Sequence, residues 1–480
     1  MTKQECAIKY ITENYLDFDR LRHDVIADKL QIRLSSEEAI SLSDEVAMRL
    51  SGEEIEYWRE LTKHDINSIV CHAAQEYDAN ITSREVMTAL QSDLIPDVHP
   101  LREYIQSLRP YTPEQPDWID MVASQVHVMD ASATDRCEAP VDRHSVAVDG
   151  RSATPVDLHS QSTASRASDL QCSASETNYS KANYSSHSER SEADRLWRVC
   201  FKKWFVAMVA SWMKDEVVNH QVLVLIGRQG IYKTTWLEHL LPPHLRAYAC
   251  KLANSSDLNK DERLRIAEFG LISLDEIDSM NNRELNQLKS VITASDVNER
   301  AAYAYTKERR VRLASFCASG NRRDFLTDIT GNRRWLPFEV ESIQNPFFTT
   351  LPYELMYAQA WALAQDPRFS YWFELEEIEL LEQHNQHFRD ESNEEQLLPI
   401  LFDIPAEGKG EFLTTAQISE RLVTYGNIKK PMALSRLGVL MSSMGYRSVQ
   451  RQIGCHRGRG WIVYQRDTDE IAHMKRLLIL

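Results

Sequence analysis

The chain has 480 residues, too many for one ordinary core, so two to four domains are expected. Hydrophobic residues at 43% and charged residues at 26% give the balance of a soluble globular protein, and no apolar run approaches the ~18 residues of a membrane span. Met1 to Cys6 lack the apolar core of a signal peptide. Eight scattered cysteines without a CxxC pair argue against a zinc ribbon or disulfide framework and for a reducing cytoplasm. A net charge of -16 argues against coating nucleic acid over the whole surface. It leaves room for a local basic channel, because screening confines a patch to roughly 10 Å.

In chain order, residues 1–127 read as a mostly helical N-terminal region. Ala7 to Arg33 and Asp65 to Tyr77 carry apolar residues at three- and four-residue spacing. Ser83 is the expected N-cap of another helix, and His99-Pro100 starts one more. No cluster of paired acids with a nearby histidine occurs in 1–54, so primer synthesis is not expected. Residues 128–195 are rich in Ser, Thr, Asp and Ala and poor in aliphatics, the composition of a disordered insert.

From Trp197 an amphipathic helix is expected through Met213. The apolar run Val222–Ile226 follows, then a Gly-containing turn and a helix from Lys233. Gly270–Leu274 and Val311–Phe316 are further apolar runs, ending in acids and in Ala318-Ser-Gly-Asn321 respectively. Apolar strands alternating with helices predict an α/β core over 196–345, a parallel sheet flanked by helices. A helical extension over 346–405 and a C-terminal unit over 406–480 complete the chain.

The segment Gly227-Arg-Gln-Gly230-Ile-Tyr-Lys233-Thr234-Thr235 has the strand–loop–helix context of a phosphate-binding loop. Glycines let backbone N–H groups approach phosphate, and a helix N-terminus adds positive potential. Gly227, Gln229, Gly230 and Thr235 would line the nucleotide. Lys233 would neutralise β- and γ-phosphates, and Thr234 would hold Mg²⁺. The standard pattern GxxxxGK[ST] places glycine before the lysine; here that position is Tyr232, costly if a positive φ is required. The alternative is a Gly-containing turn beside a surface lysine.

Leu271–Leu274 delivers Asp275 and Glu276 some forty residues later, one to hold Mg²⁺ through water and the other to orient or deprotonate the attacking water. Asp278 reads as a helix N-cap. Asn321, beyond the third strand, suits a polar sensor of the γ-phosphate. Arg333 and Arg334 offer an arginine finger, with a surface or interdomain salt bridge as the alternative.

These motifs together resemble the virulence-associated protein E family of phage and mobile-element proteins, which is similar to superfamily 3 helicases and primase-helicases. The resemblance rests on GRQGIYKTTWLEHLLP (227–242), LISLDEID (271–278), LKSVITASD (288–296), ASGNRRDFLTD (318–328) and TGNRRWLPFEV (330–340). It covers about 197–345, and 55–126 resembles the helical region before that core. The resemblance implies an ATP- and Mg²⁺-dependent P-loop NTPase that forms a homo-oligomer, a hexameric ring, and moves on DNA during replication of a mobile element. Arg333 or Arg334 would then serve the nucleotide of a neighbouring subunit.

For DNA, the run Arg300 to Arg312 mixes aromatic and basic residues about an expected turn at Thr306-Lys307-Glu308. A hairpin there would present Lys307, Arg309 and Arg310 to single-stranded DNA; the alternative is ordinary solvated charge. Near the C-terminus, helices at Thr414 and at Met432–Met444 precede two strands around a turn Gly454–Gly460, a winged-helix-like order. Arg447, Arg451, Arg457 and Arg459 concentrate on the wing, which suits DNA or protein docking. The leading expectation is an ATP-dependent DNA translocase or helicase. Its rivals are a protein-remodelling P-loop ATPase and a DNA-binding regulator with a vestigial site.

Overall fold

The computed structural model describes residues 1–34, 58–129, 191–252, 260–299, 308–326, 332–405, 410–453 and 456–478. It is a mixed α/β fold with several sheets. The composition-based insert falls almost wholly in 130–190, outside the described residues, as does Lys307.

The N-terminal region is not all helical. Helix Lys3–Ile11 continues as a π-turn to Leu16, and then β1 (Leu21–Asp24) and β2 (Lys29–Arg33) form an antiparallel hairpin, with Leu21 opposite Ile32. Asp19 and Asp28 adopt positive φ (49° and 56°), a conformation Asp tolerates better than most residues. These turns break the helical period that the apolar spacing of 7–33 mimics. β3 (Trp58–Glu60) and β4 (Asp97–Val98) complete a sheet ordered β3-β2-β1-β4. The helix Ser83–Leu90 is capped by Thr82 rather than Ser83, because the Thr82 N–H donates to the Glu85 carboxylate at 3.0 Å.

His99 caps the helix Pro100–Ser107, its Nδ1 accepting from the Arg102 N–H at 3.2 Å. Burial, helped by the adjacent Arg102 charge, pushes its pKa down to about 4. An unfolded histidine titrates near ~6.5, so between these values the unfolded chain binds a proton the folded chain refuses. Stability from this site is complete above the unfolded value and declines as pH falls toward 4. Urea midpoints should drop over that window, and His99→Asn, which keeps a capping acceptor, should flatten the drop.

Strand β5 (Val126–Val128) edges the central sheet, followed by β6 (Val222–Ile226), β7 (Ala249–Leu252) and β8 (Leu271–Leu274). β9 (Asp296–Glu299) and β10 (Glu308–Val311) form a separate hairpin; β11 (Ser315–Gly320) and β12 (Trp335–Ile343) return to the sheet. Its order is β5-β12-β6-β11-β8-β7, with every neighbour parallel except β5. Fully buried strands of this kind read as continuous apolar runs, as Val222–Ile226 does.

The helix before β6 runs Glu192–Met213 and is buried on nearly every face from Lys203 to Trp212, so it is not the amphipathic helix its spacing predicts. It lies between the sheet and the helix Tyr353–Gln365. Tryptophan N–H groups secure it: Trp197 to Ala123 O (2.9 Å), Trp204 to Phe316 O (3.1 Å) and Trp212 to Gly270 O (3.2 Å).

In the C-terminal unit, helix Asn393–Leu401 leads into β13 (Phe402–Asp403) and β14 (Glu411–Thr414). Helices Thr415–Gly426 and Leu434–Ser443 follow, then β15 (Arg447–Ile453) and β16 (His456–Gln465). β16 pairs antiparallel with β13, β14 and β15. Pairing reaches Ile453 opposite His456, which places Arg457 and Arg459 on the strand rather than in a turn.

Candidate functional site

At the carboxyl end of β6 the chain enters the loop 227–232. Gly227 is required there: a Cβ on it would sit 2.6 Å from the Val340 carbonyl oxygen of β12. Gly230 has φ +86°. Tyr232 adopts φ 68°, ψ 18°, the left-handed conformation that glycine usually supplies, at a cost of roughly 1–2 kcal/mol. The helix after it, Lys233–Glu238, is only six residues long, so less positive potential is expected from its dipole than from the lysine itself.

Lys233 is 7% exposed. Its ammonium donates to Gly227 O (2.8 Å), Arg228 O (2.7 Å) and Asn321 Oδ1 (3.3 Å). Burial lowers its pKa, opposed by the charges of Asp278 and Asp275. The Thr234 hydroxyl lies 2.9 Å from Ser319 Oγ and 3.3 Å from Asp275 Oδ1, while Ser319 Oγ donates to the same Asp275 oxygen at 2.7 Å. The other carboxylate oxygen of Asp275 pairs with Lys251 at 2.9 Å. Burial opposes ionisation of Asp275, but hydrogen bonds from Ser319, Lys251 and Thr234 outweigh it and hold the carboxyl below its usual range.

Glu276 has φ 52° and an exposed side chain that makes no hydrogen bond or ion pair among the described residues. Together Gln229, Gly230, Tyr232, Lys233, Thr234, Thr235, Asp275, Glu276, Ser319 and Asn321 line one cavity of about 310 Å³. Among the described residues no group of three or more His, Cys, Asp or Glu side chains forms a metal cage. The hard oxygens of Thr234 and Asp275 suit a magnesium ion that takes its remaining ligands from water and phosphate.

Several expected roles change. Asp278 is not a helix N-cap: Asn281 caps Asn282–Ile292, and Asp278 accepts the Asn321 and Arg322 N–H groups at 3.2 Å each, fixing the loop after β11. Arg333 and Arg334 stand outside the cavity. They precede Trp335, which pairs with Val222 at the start of β6, whereas the loop follows Ile226 at its other end. Burial, then the Arg312 charge and to a lesser degree Arg334 and Arg333, lowers the pKa of His220, just before β6.

The β9–β10 hairpin pairs Glu299 with Glu308, so Glu308 stands in a strand rather than in the expected turn, whose other residues, Thr306 and Lys307, lie outside the described residues. Arg309 is 76% exposed and pairs with Asp296 at 2.6 Å. Arg310 is held between Asp28 (2.9 Å) and Glu268 (3.6 Å) and links the hairpin to the N-terminal sheet instead of forming a free basic surface. Arg312 is fully buried, donating to the carbonyls of Ala314, Ala294 and Asn219, and burial lowers its pKa to about 9. In the C-terminal unit Arg447, Arg451 and Arg459 are exposed, with Arg459 donating to Ser448 Oγ at 3.1 Å and Arg451 lying 5.4 Å over the Phe412 ring.

Ser319 and Lys251 escaped the sequence reading. Ser319 looks like any small strand residue; its one signal is a hydroxyl two residues before Asn321. Lys251 carries no local signal, because its partner is 24 positions away.

Residues 180–392 match the family model of the virulence-associated protein E-like domain. No curated protein matches the chain. Among solved structures, the apo structure of the NrS-1 C terminal region (305-718) is similar at a TM-score of 0.43 and 10% identity, covering 96% of this chain and 100% of that one. An A form apo structure of the same region gives 0.42 and 9%, covering 96% and 99%. These likenesses are too distant to carry an argument about chemistry. No helix among the described residues is long and apolar enough to cross a membrane.

Proposed function

We propose that the chain is a magnesium-dependent ATPase that drives movement on DNA during replication of a phage or mobile genetic element. The observation that carries this reading is the convergence of Lys233, Thr234, Ser319 and Asp275, from three parallel strands, on one cavity at their carboxyl ends. That is where ligands bind in open parallel α/β sheets. The sheet order, with β11 between β6 and β8, supports a P-loop NTPase core.

In this reading the Lys233 ammonium exchanges loop carbonyls for β- and γ-phosphate oxygens. Thr234 and Asp275 would hold the metal, with Ser319 keeping their oxygens together. Bound Mg²⁺ would neutralise charge developing on the phosphates. Glu276, with its free carboxylate, receives a proton from the attacking water, and Asn321 orients that water beside Lys233. The exposed Arg309 would contact phosphates of single-stranded DNA, since its surface ion pair with Asp296 is weak and easily exchanged. The C-terminal unit is read as a winged helix and offers its β15–β16 arginines, Arg457 and Arg459 among them, as a second contact.

Single-stranded DNA should raise ATP turnover several-fold, and Arg309→Ala should lower that stimulation without altering the rate in its absence. Turnover indifferent to DNA would favour a protein-remodelling ATPase; absence of any hydrolysis would favour a DNA-binding regulator.

A further inference from the structure

Beside Tyr232, which lines the cavity, the turn after β12 carries aromatic side chains that phosphate chemistry does not use. Phe347 is 68% exposed and Phe348 is 88% exposed, in the turn after β12. The turn is ordered by Asn345, whose Oδ1 accepts the Phe347 N–H at 3.0 Å and whose O accepts the Phe348 N–H at 3.1 Å. The Asn345 amide also donates to the Tyr232 hydroxyl at 3.4 Å, latching the turn to the phosphate loop. Phe347 meets the Tyr232 ring edge-on at 6.5 Å and the His239 ring at 5.5 Å. Large apolar side chains left this exposed and grouped usually mark a binding surface.

The sheet order assigns the two ends of a nucleotide. Asp275 and Ser319 come from β8 and β11, on one side of β6, and set the terminal phosphate and metal there. β12 lies on the other side of β6, with its Val340 carbonyl against Gly227. A triphosphate with its terminal phosphate toward β11 and β8 directs its base toward β12 and the aromatic turn.

We propose that Tyr232, Phe347 and Phe348 form a stacking platform for the nucleobase. This rests on the nucleotide reading above and extends it. It also accounts for Tyr232 in a left-handed position that glycine would fill without strain: the ring is kept there for the base. Stacking on a π-face discriminates little between bases, so adenine and guanine nucleotides bind with similar affinity.

The test is the affinity of the full chain for Mg-ATP, Mg-GTP and magnesium tripolyphosphate, by calorimetry, in wild type, Phe347→Ala, Phe348→Ala and Tyr232→Gly. Phe347→Ala and Phe348→Ala should each weaken both nucleotides about tenfold, the scale of one lost base–aromatic stack, and leave tripolyphosphate unchanged, whereas Tyr232→Gly, inside the phosphate loop, should weaken the nucleotides more than tripolyphosphate. Equal losses for nucleotides and tripolyphosphate, unaltered ATP affinity, or a changed oligomeric mass with unaltered affinity would each overturn the platform. If wild type binds tripolyphosphate and ATP equally, the phosphate site stands and the platform alone fails. If it binds neither, the nucleotide reading fails and takes the platform with it.

Discussion

Replacing Lys233 with alanine should reduce ATP turnover by at least about 10²–10³, the loss that follows removal of a single transition-state donor. The ammonium is nearly enclosed and is held by two loop carbonyls and by Asn321. No other cation among the described residues lines the cavity. The substitution also leaves the Gly227 and Arg228 carbonyls short of a donor, at a cost of roughly 1–3 kcal/mol. Lys233→Met keeps the apolar stem and separates these effects: its thermal midpoint should lie closer to wild type while turnover stays as low as in the alanine variant. Substantial hydrolysis by either variant would return the lysine to a structural role in the turn.

The residues that line the cavity were legible because each follows a strongly apolar run. Val222–Ile226 points to Lys233, Leu271–Leu274 to Asp275, and the strand ending at Gly320 to Asn321; these meet in one cavity. The spatial order of the strands was not legible. An apolar run records burial on both faces and says nothing about which strand lies beside it. Consequently the side of β6 on which Asp275 stands, the Ser319 bridge and the position of the Phe347 turn emerge only in three dimensions.

Local misreadings have local causes. Residues 21–33 carry helix-like apolar spacing, yet Leu21, Leu30 and Ile32 belong to paired strands, because Asp19 and Asp28 turn the backbone left-handed. Arg310 and Arg312 look alike in a basic run. Depth separates them from Arg309: one bridges two carboxylates and the other is sealed among carbonyls.

The double variant Arg333→Ala/Arg334→Ala should lose about 10³-fold or more in turnover, the scale of a missing arginine finger, while its ATP affinity changes little. β6 has five residues, so the edge bearing these arginines lies roughly 13 Å from the loop edge at ~3.3 Å per residue. Neither guanidinium serves the cavity of its own subunit at that separation. A head-to-tail assembly would bring them to a neighbour's cavity, and such contacts close into a ring where the rotation between subunits closes. Complementation follows from this geometry. Mixing the double arginine variant with Lys233→Ala joins an intact cavity on one subunit to intact arginines on the next. In random mixtures roughly a quarter of head-to-tail interfaces are complete, and turnover should recover in that proportion although each variant alone is inactive. Turnover per subunit should also fall on dilution. Full activity in the double variant, or inactivity that mixing fails to relieve, would mean that the two arginines act only within their own subunit, at the sheet edge beside His220.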